Sequence, residues 1–164
     1  MPEMNKSRLS GSVRAQIDQW MLRYPAEQKR SAVMAALMFA QEENRGWLSE
    51  ALMDAVADYL GMPNIAVYEV ATFYTMYNLQ PVGQHTIKVC TSISCMLCGG
   101  DKITEHLKNR LQIGVNETTP NGKFTLREVE CMAACVGAPM FQIDKKYYEH
   151  LTAEKVDAIL DEFE

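Results

Sequence analysis

Cysteine is the residue type that carries chemistry in this sequence. Cys90, Cys95, Cys98, Cys131 and Cys135 crowd into residues 90–135, and none precedes them. An odd number of tightly spaced thiols with no export signal argues against a disulfide framework, because reduced intracellular thiols clustered this way bind metal or do redox work. The short-range pairs Cys90-x4-Cys95 and Cys131-x3-Cys135 suit a rhombic [2Fe-2S] core in which each iron takes one pair. With both irons ferric such a core carries a formal charge of about -2 and needs N–H donors aimed at its sulfurs. Gly99-Gly100, ahead of a helix start, and Gly137, after the second pair, are the candidates to bring backbone N–H groups close. One-electron transfer is the chemistry such a buried cluster performs.

Spacing alone leaves other assignments open. Cys90-x4-Cys95-x2-Cys98 followed by Cys131 also fits the plant-type ferredoxin pattern, with Cys135 spare. That reading leaves the Cys131-Met-Ala-Ala-Cys135 loop unexplained. Cys95-Met-Leu-Cys98 between a strand and a helix is also the form of a thioredoxin-like dithiol. Cys95, Cys98, Cys131 and Cys135 have spacings acceptable for a structural zinc site.

The elements that must position these thiols fall into two halves. Val13, Ile17, Trp20 and Met21 recur at helical spacing until Tyr24-Pro25 breaks the pattern. A second helix is expected over Ala26 to Glu43, ending at Asn44-Arg45-Gly46. The third has Ser49 as N-cap, the stripe Leu52, Val56, Tyr59 and Leu60, and Gly61 as a left-handed stop before Pro63. Asn64 is expected to cap a fourth, lined by Val67, Val70, Ala71 and Tyr74, and Pro81-Val82-Gly83 reads as a linker. From His85 the period becomes that of a strand, Thr86 and Lys88 alternating with Ile87 and Val89 up to Cys90. A helix from about Asp101, marked by Ile103, Leu107 and Leu111, is expected to end at Gly114. The Asn121-Gly122 turn feeds a strand from Phe124 to Val129, and a third strand spans Met140 to Ile143 before Asp144-Lys145-Lys146 turns the chain into Tyr147-Tyr148. The last helix has Thr152 as N-cap with Leu151 and Val156 as a hydrophobic staple. The expected fold class is α/β (α+β), with an N-terminal helical bundle over residues 1–80 and a second domain over 81–164 reading βα, then ββα.

Composition supports an ordinary globular protein: 164 residues, 48% hydrophobic, 23% charged, with nine glycines and six prolines. A chain this long buries roughly 70% of its unfolded surface, enough for one core or two small ones. The net charge of -5 is spread evenly, with 7 Lys+Arg against 9 Asp+Glu before residue 81 and 9 against 12 after it. No basic run can displace counterions from phosphate, so nucleic acid is not an expected partner. The longest apolar run, Ala32 to Ala40, is too short to span a bilayer, and Met1-Pro-Glu-Met-Asn-Lys6 resembles neither a signal nor a transit peptide. An intracellular bacterial protein without direct membrane insertion is the expectation.

His85, His106 and His150 are scattered, and none neighbours a cysteine as a Rieske loop requires. The eleven methionines, eight of them within the first 76 residues, read as bundle filling, and Phe73, Tyr74 and Tyr77 as core or domain-junction packing. No dinucleotide fingerprint, phosphate loop, nucleophile elbow or His-Glu-x-x-His occurs, so nucleotide and substrate sites are expected on another chain. Pro139, just ahead of a strand, is a candidate for a cis peptide bond.

The sequence resembles the NuoE-type subunits of bacterial NADH:quinone oxidoreductase, respiratory complex I, along nearly its whole length. Besides the cysteines, the resemblance rests on Gly46-Trp47-Leu48-Ser49, on Ala71 to Tyr77 (ATFYTMY), on Pro81-Val82-Gly83, on Thr118 to Leu126 (TTPNGKFTL) and on Val129-Glu130-Cys131. It implies a thioredoxin-like ferredoxin domain behind the helical bundle, with one [2Fe-2S] cluster held by Cys90, Cys95, Cys131 and Cys135, and Cys98 outside that set. It further implies docking on a NuoF-type subunit that holds FMN and binds NAD(H), among other complex I subunits, on the cytoplasmic face of the inner membrane. Related diaphorase subunits of NAD-linked formate dehydrogenases and hydrogenases share the pattern.

Overall fold

A computed structural model describes residues 9–163, so the expectation placed on Met1 to Lys6 lies outside the described residues. The chain divides between Pro81 and Val82 into two compact units.

The first unit is helical. Helix α1 (Gly11–Met21) starts where the Ser10 hydroxyl accepts the Val13 N–H. Helices α2 (Val33–Glu43), α3 (Glu50–Leu60) and α4 (Asn64–Phe73) follow. The Ser49 hydroxyl caps α3 by accepting the Leu52 N–H, and Gly61 ends it with φ 67° and ψ 37°. Ile17, Leu37, Val56 and Val67 are wholly buried at the centre, each such side chain contributing about 1.5–3 kcal/mol over exposure. Tyr77 joins this core, its hydroxyl donating to the Met34 carbonyl at 2.9 Å, and burial pushes its phenol up to about 12.

Three expectations for this unit need correcting. The stretch Ala26–Ala32 is a 3-10 segment with a non-helical break at Gln28, and the α-helix begins only at Val33. Residues 26–31 bury no side chain, whereas Ala32 and Val33 are the first to reach the core, so packing starts the helix there. Asn64 is the first helical residue behind Pro63 and makes no side-chain cap. Phe73 is 77% exposed and Tyr74 lies at the surface, their rings stacked edge to face against each other.

The second unit is a four-stranded sheet with helices. Its elements are β1 (His85–Cys90), α5 (Ile93–Leu97), α6 (Gly100–Leu111), β2 (Phe124–Val129), β3 (Phe141–Ile143), β4 (Lys146–Tyr148) and α7 (Ala153–Asp161). Strand order is β2-β1-β3-β4, with β1 and β2 parallel and the other pairs antiparallel. Ile87 and Val89, Phe124 and Leu126, and Phe141 and Ile143 form one core with Ile103 and Leu107 of α6 and Val156, Ile159 and Leu160 of α7. The alternate residues Thr86, Lys88 and Cys90 therefore point to the other face. Arg110 on α6 reaches Asp161 on α7 at 2.9 Å, and His106 reaches Asp157 at 2.8 Å.

Helix α6 ends earlier than expected, at Gln112 in a left-handed conformation (φ 54°) and not at Gly114. Turning there lets Ile113 enter the core, while the Gly114 N–H goes to the Glu117 carboxylate at 2.6 Å. The short helix α5 and the strand β4 were not legible as elements. The Ala138–Pro139 peptide bond is cis.

Candidate metal centre

Parallel register brings the cysteine loops together. Cys90 is the last residue of β1 and pairs with Val129, the last residue of β2, so the chain leaves both strands at the same edge. The Thr91 N–H donates to the Val129 carbonyl at 3.0 Å, and the Cys90 N–H to the Met140 carbonyl at 3.3 Å. Cys131 follows Val129 by two positions, and α5 folds Cys95 back until it is buried with Cys90 and Met140, with Met132, Ala134 and Ala138 against them. Carboxyl ends of parallel strands are where open α/β sheets place their sites.

The sulfurs are arranged as two pairs. Those of Cys131 and Cys135 are 3.9 Å apart. Two thiolates at about 2.3 Å from one tetrahedral metal are separated by about 3.8 Å, so this pair is spaced to share one metal. Cys90 and Cys95 act on each other as hydrogen-bond partners, and the charge of Cys135 reaches Cys95. Cys98 is exposed, at the C-terminal end of α5. Among the described residues, no three sulfur, imidazole or carboxylate groups close on one point as a single metal ion would require.

In the free-thiol form the two buried sulfurs are driven apart in acidity. Burial alone would raise Cys90. The backbone N–H of Ser92, the Cys95 thiol, the backbone N–H of Met132 and the Ser92 hydroxyl together outweigh it and hold Cys90 below the usual thiol value. Cys95 is pushed up to about 11, first by burial, then by its role toward Cys90 and the charges of Cys90 and Cys135, with the Met140 backbone opposing. The Ala133 N–H points at the Cys131 sulfur at 3.3 Å. Backbone N–H groups of Ser92, Met132 and Ala133 thus point at cysteine sulfurs, the kind of donor that an anionic iron–sulfur core would need around it.

These donors went unread in the sequence because a backbone N–H has no residue signature. Gly137, expected to supply one, instead donates to the Ala134 carbonyl, and a Cβ there would lie 2.5 Å from the Glu149 side chain. Gly100 does lie against the site: a Cβ on it would come within 2.9 Å of the Cys95 carbonyl oxygen. Among the described residues no histidine joins the cysteines, His85 being paired with Asp144 and His106 with Asp157.

The second cysteine loop carries backbone strain. Ala133 has φ 61°, a left-handed conformation that disfavours side chains and is worst for β-branched ones, and the Tyr147 hydroxyl fixes the preceding carbonyl, of Met132, at 3.1 Å. Ala133→Val is expected to weaken this loop by about 1–3 kcal/mol and shorten the lifetime of the bound cluster, whereas Ala133→Gly is expected to preserve or lengthen it. Bleaching of the visible absorbance under a chelator measures both.

The sequence pattern of the thioredoxin-like [2Fe-2S] ferredoxins matches residues 17–164. The chain belongs to this family. As a thioredoxin-like [2Fe-2S] ferredoxin it carries one [2Fe-2S] cluster, which supplies one-electron transfer. The E subunit of NADH-quinone oxidoreductase from Rickettsia bellii (strain RML369-C) is 50% identical over 139 residues, which are 85% of this chain and 83% of that protein. One of the E subunits of the same enzyme in Rhizobium meliloti (strain 1021), numbered 2 there, is 43% identical over 152 residues, 93% of this chain and 89% of that protein. Among solved structures, a chain of an NAD+-reducing [NiFe]-hydrogenase in the H2-reduced state superposes with a TM-score of 0.69 at 18% identity, covering 80% of this chain and 22% of that much longer one. This last likeness concerns the fold of the ferredoxin.

Proposed function

We propose that this chain is the E-type subunit of an NADH:quinone oxidoreductase, with its cluster on Cys90, Cys95, Cys131 and Cys135 exchanging single electrons with the FMN of an NADH-binding subunit. The observation that carries the reading is the meeting of two thiol pairs at the carboxyl ends of β1 and β2, in a chain that shares half its aligned residues with a subunit of that enzyme. Cys90 and Cys95 anchor the cluster in the buried side, while Cys131 and Cys135 hold it at the surface where an electron can leave. The exposed apolar side chains nearby in sequence, Ile93 (68% exposed), Leu97 (77%) and Val136 (96%), supply a water-excluding contact for a flavoprotein partner. Other complex I subunits complete the assembly.

Among the described residues no helix is long and apolar enough to cross a membrane. Attachment to the cytoplasmic side of the membrane then runs through partner subunits. Affinity capture from membranes of the native source, read by mass spectrometry, is expected to return a flavin- and NADH-binding subunit together with membrane-arm proteins. Formate dehydrogenase or hydrogenase subunits in their place overturn the assignment to complex I. A preparation that stays colourless and iron-free after anaerobic reconstitution overturns the cluster itself.

A further inference from the structure

We propose that Arg127, assisted by Lys88, raises the reduction potential of the cluster from the face of the sheet opposite the α6–α7 core. The inference rests on the assignment of Cys90 as a ligand. Lys88 and Cys90 stand on the same face of β1, about 6.6 Å apart along the strand. Arg127 is the residue directly opposite Lys88 in the parallel register, as Val129 is opposite Cys90. Two cations therefore sit side by side, one strand repeat behind a cluster ligand.

That placement is locally unfavourable. Like charges directly opposite one another destabilise a sheet. Both side chains are half-buried, and the Arg127 Nε is buried with no hydrogen-bond partner. Among the described residues neither cation forms an ion pair within 4 Å. Asp144, the one carboxylate whose field reaches Lys88, is already taken up by His85 at 2.7 Å and by the Thr86 N–H at 3.1 Å. Glu128, next to Arg127, belongs to the opposite face of β2 and is exposed.

The neighbouring cluster gives this conflict a use. Accepting one electron converts one ferric ion to ferrous and takes the cluster from about -2 to about -3, with no proton moved. Fixed positive charge nearby favours the more negative state. Guanidinium stays charged at every physiological pH, and among the described residues Arg127 has no ion-pair partner within 4 Å while the field of Asp144 offsets part of the charge on Lys88, so the contribution of Arg127 exceeds that of Lys88.

The test is an EPR-monitored redox titration of the full-length, cluster-loaded protein. Arg127→Met is expected to weaken electron uptake on the order of tenfold, a midpoint lower by about 59 mV for a one-electron couple. Lys88→Met is expected to move it in the same direction by less, and Arg127→Lys to stay near the wild type. Lys123→Gln removes an equal charge just ahead of β2, at the end of the strand away from Val129, and is expected to leave the potential unmoved. Loaded Arg127→Met and Lys88→Met proteins with wild-type potentials overturn the proposal, as does an equal shift in Lys123→Gln. If Arg127→Met does not load, Lys88→Met decides. A wild type that holds no cluster fails separately, by removing the ligand assignment underneath.

Discussion

Cys135→Ser is expected to abolish the visible iron–sulfur absorbance and the EPR signal that follows one-electron reduction, and Cys98→Ser is expected to leave both intact. The contrast follows from where the two sulfurs lie. Cys135 stands 3.9 Å from Cys131, the spacing of two thiolates on one metal, and in the proposed ligand set it is one of the four that share the irons. A serine hydroxyl is a harder and far less acidic ligand than a thiol, and removing one of four ligands costs more than the roughly 10–100-fold in metal affinity lost when only an outer hydrogen-bond partner is removed. Cys98 closes the short helix α5 with its backbone, its N–H donating to the Ser94 carbonyl at 3.2 Å, and that role survives substitution by serine. Iron content per chain, absorbance and EPR of the two purified variants decide the matter. Loss in Cys98→Ser with retention in Cys135→Ser would assign the plant-type ligand set instead.

The helical half was legible because its signals are local. Ser49, the apolar stripe from Leu52 to Leu60 and Gly61 each act within one or two turns, and the structure uses all of them as expected. The error at residues 26–32 has the opposite character: Glu27 to Arg30 are good helix formers, and only the lack of a buried face until Ala32 leaves them in a 3-10 segment. In the second unit, the strand alternation through Ile87 and Val89 was readable, but its partner was not. That β2 runs parallel beside β1, carrying Cys131 to the same edge as Cys90, is a long-range fact with no marker in either segment. The same holds for the donors at the sulfurs. Ser92, Met132, Ala133 and Met140 act there largely through their backbone, so their side chains advertise little.

Gly100→Ala should damage the cluster far more than its small size implies, and Gly83→Ala is the control that separates this from general instability. A Cβ on Gly100 would fall 2.9 Å from the Cys95 carbonyl oxygen and 3.0 Å from its carbonyl carbon, with the Cys90 oxygen at 3.5 Å. These are backbone atoms of two proposed ligands, so relief requires moving the helix start or the cysteines themselves. On Gly83 the clash is as close, 2.9 Å from the Phe124 carbonyl carbon, but it lies at the opening of β2, at the end of the sheet away from Cys90 and Val129. Overpacking of this kind typically costs about 1–3 kcal/mol. Both variants are therefore expected to melt at lower temperature. Only Gly100→Ala is expected to combine that loss with altered visible and EPR spectra and faster release of iron to a chelator, because only there does the displaced backbone carry the proposed sulfur ligands. Equal spectra in the two loaded variants would mean that the Cys90–Cys95 side of the site tolerates backbone movement, and would place its rigidity elsewhere than in the close contact at Gly100.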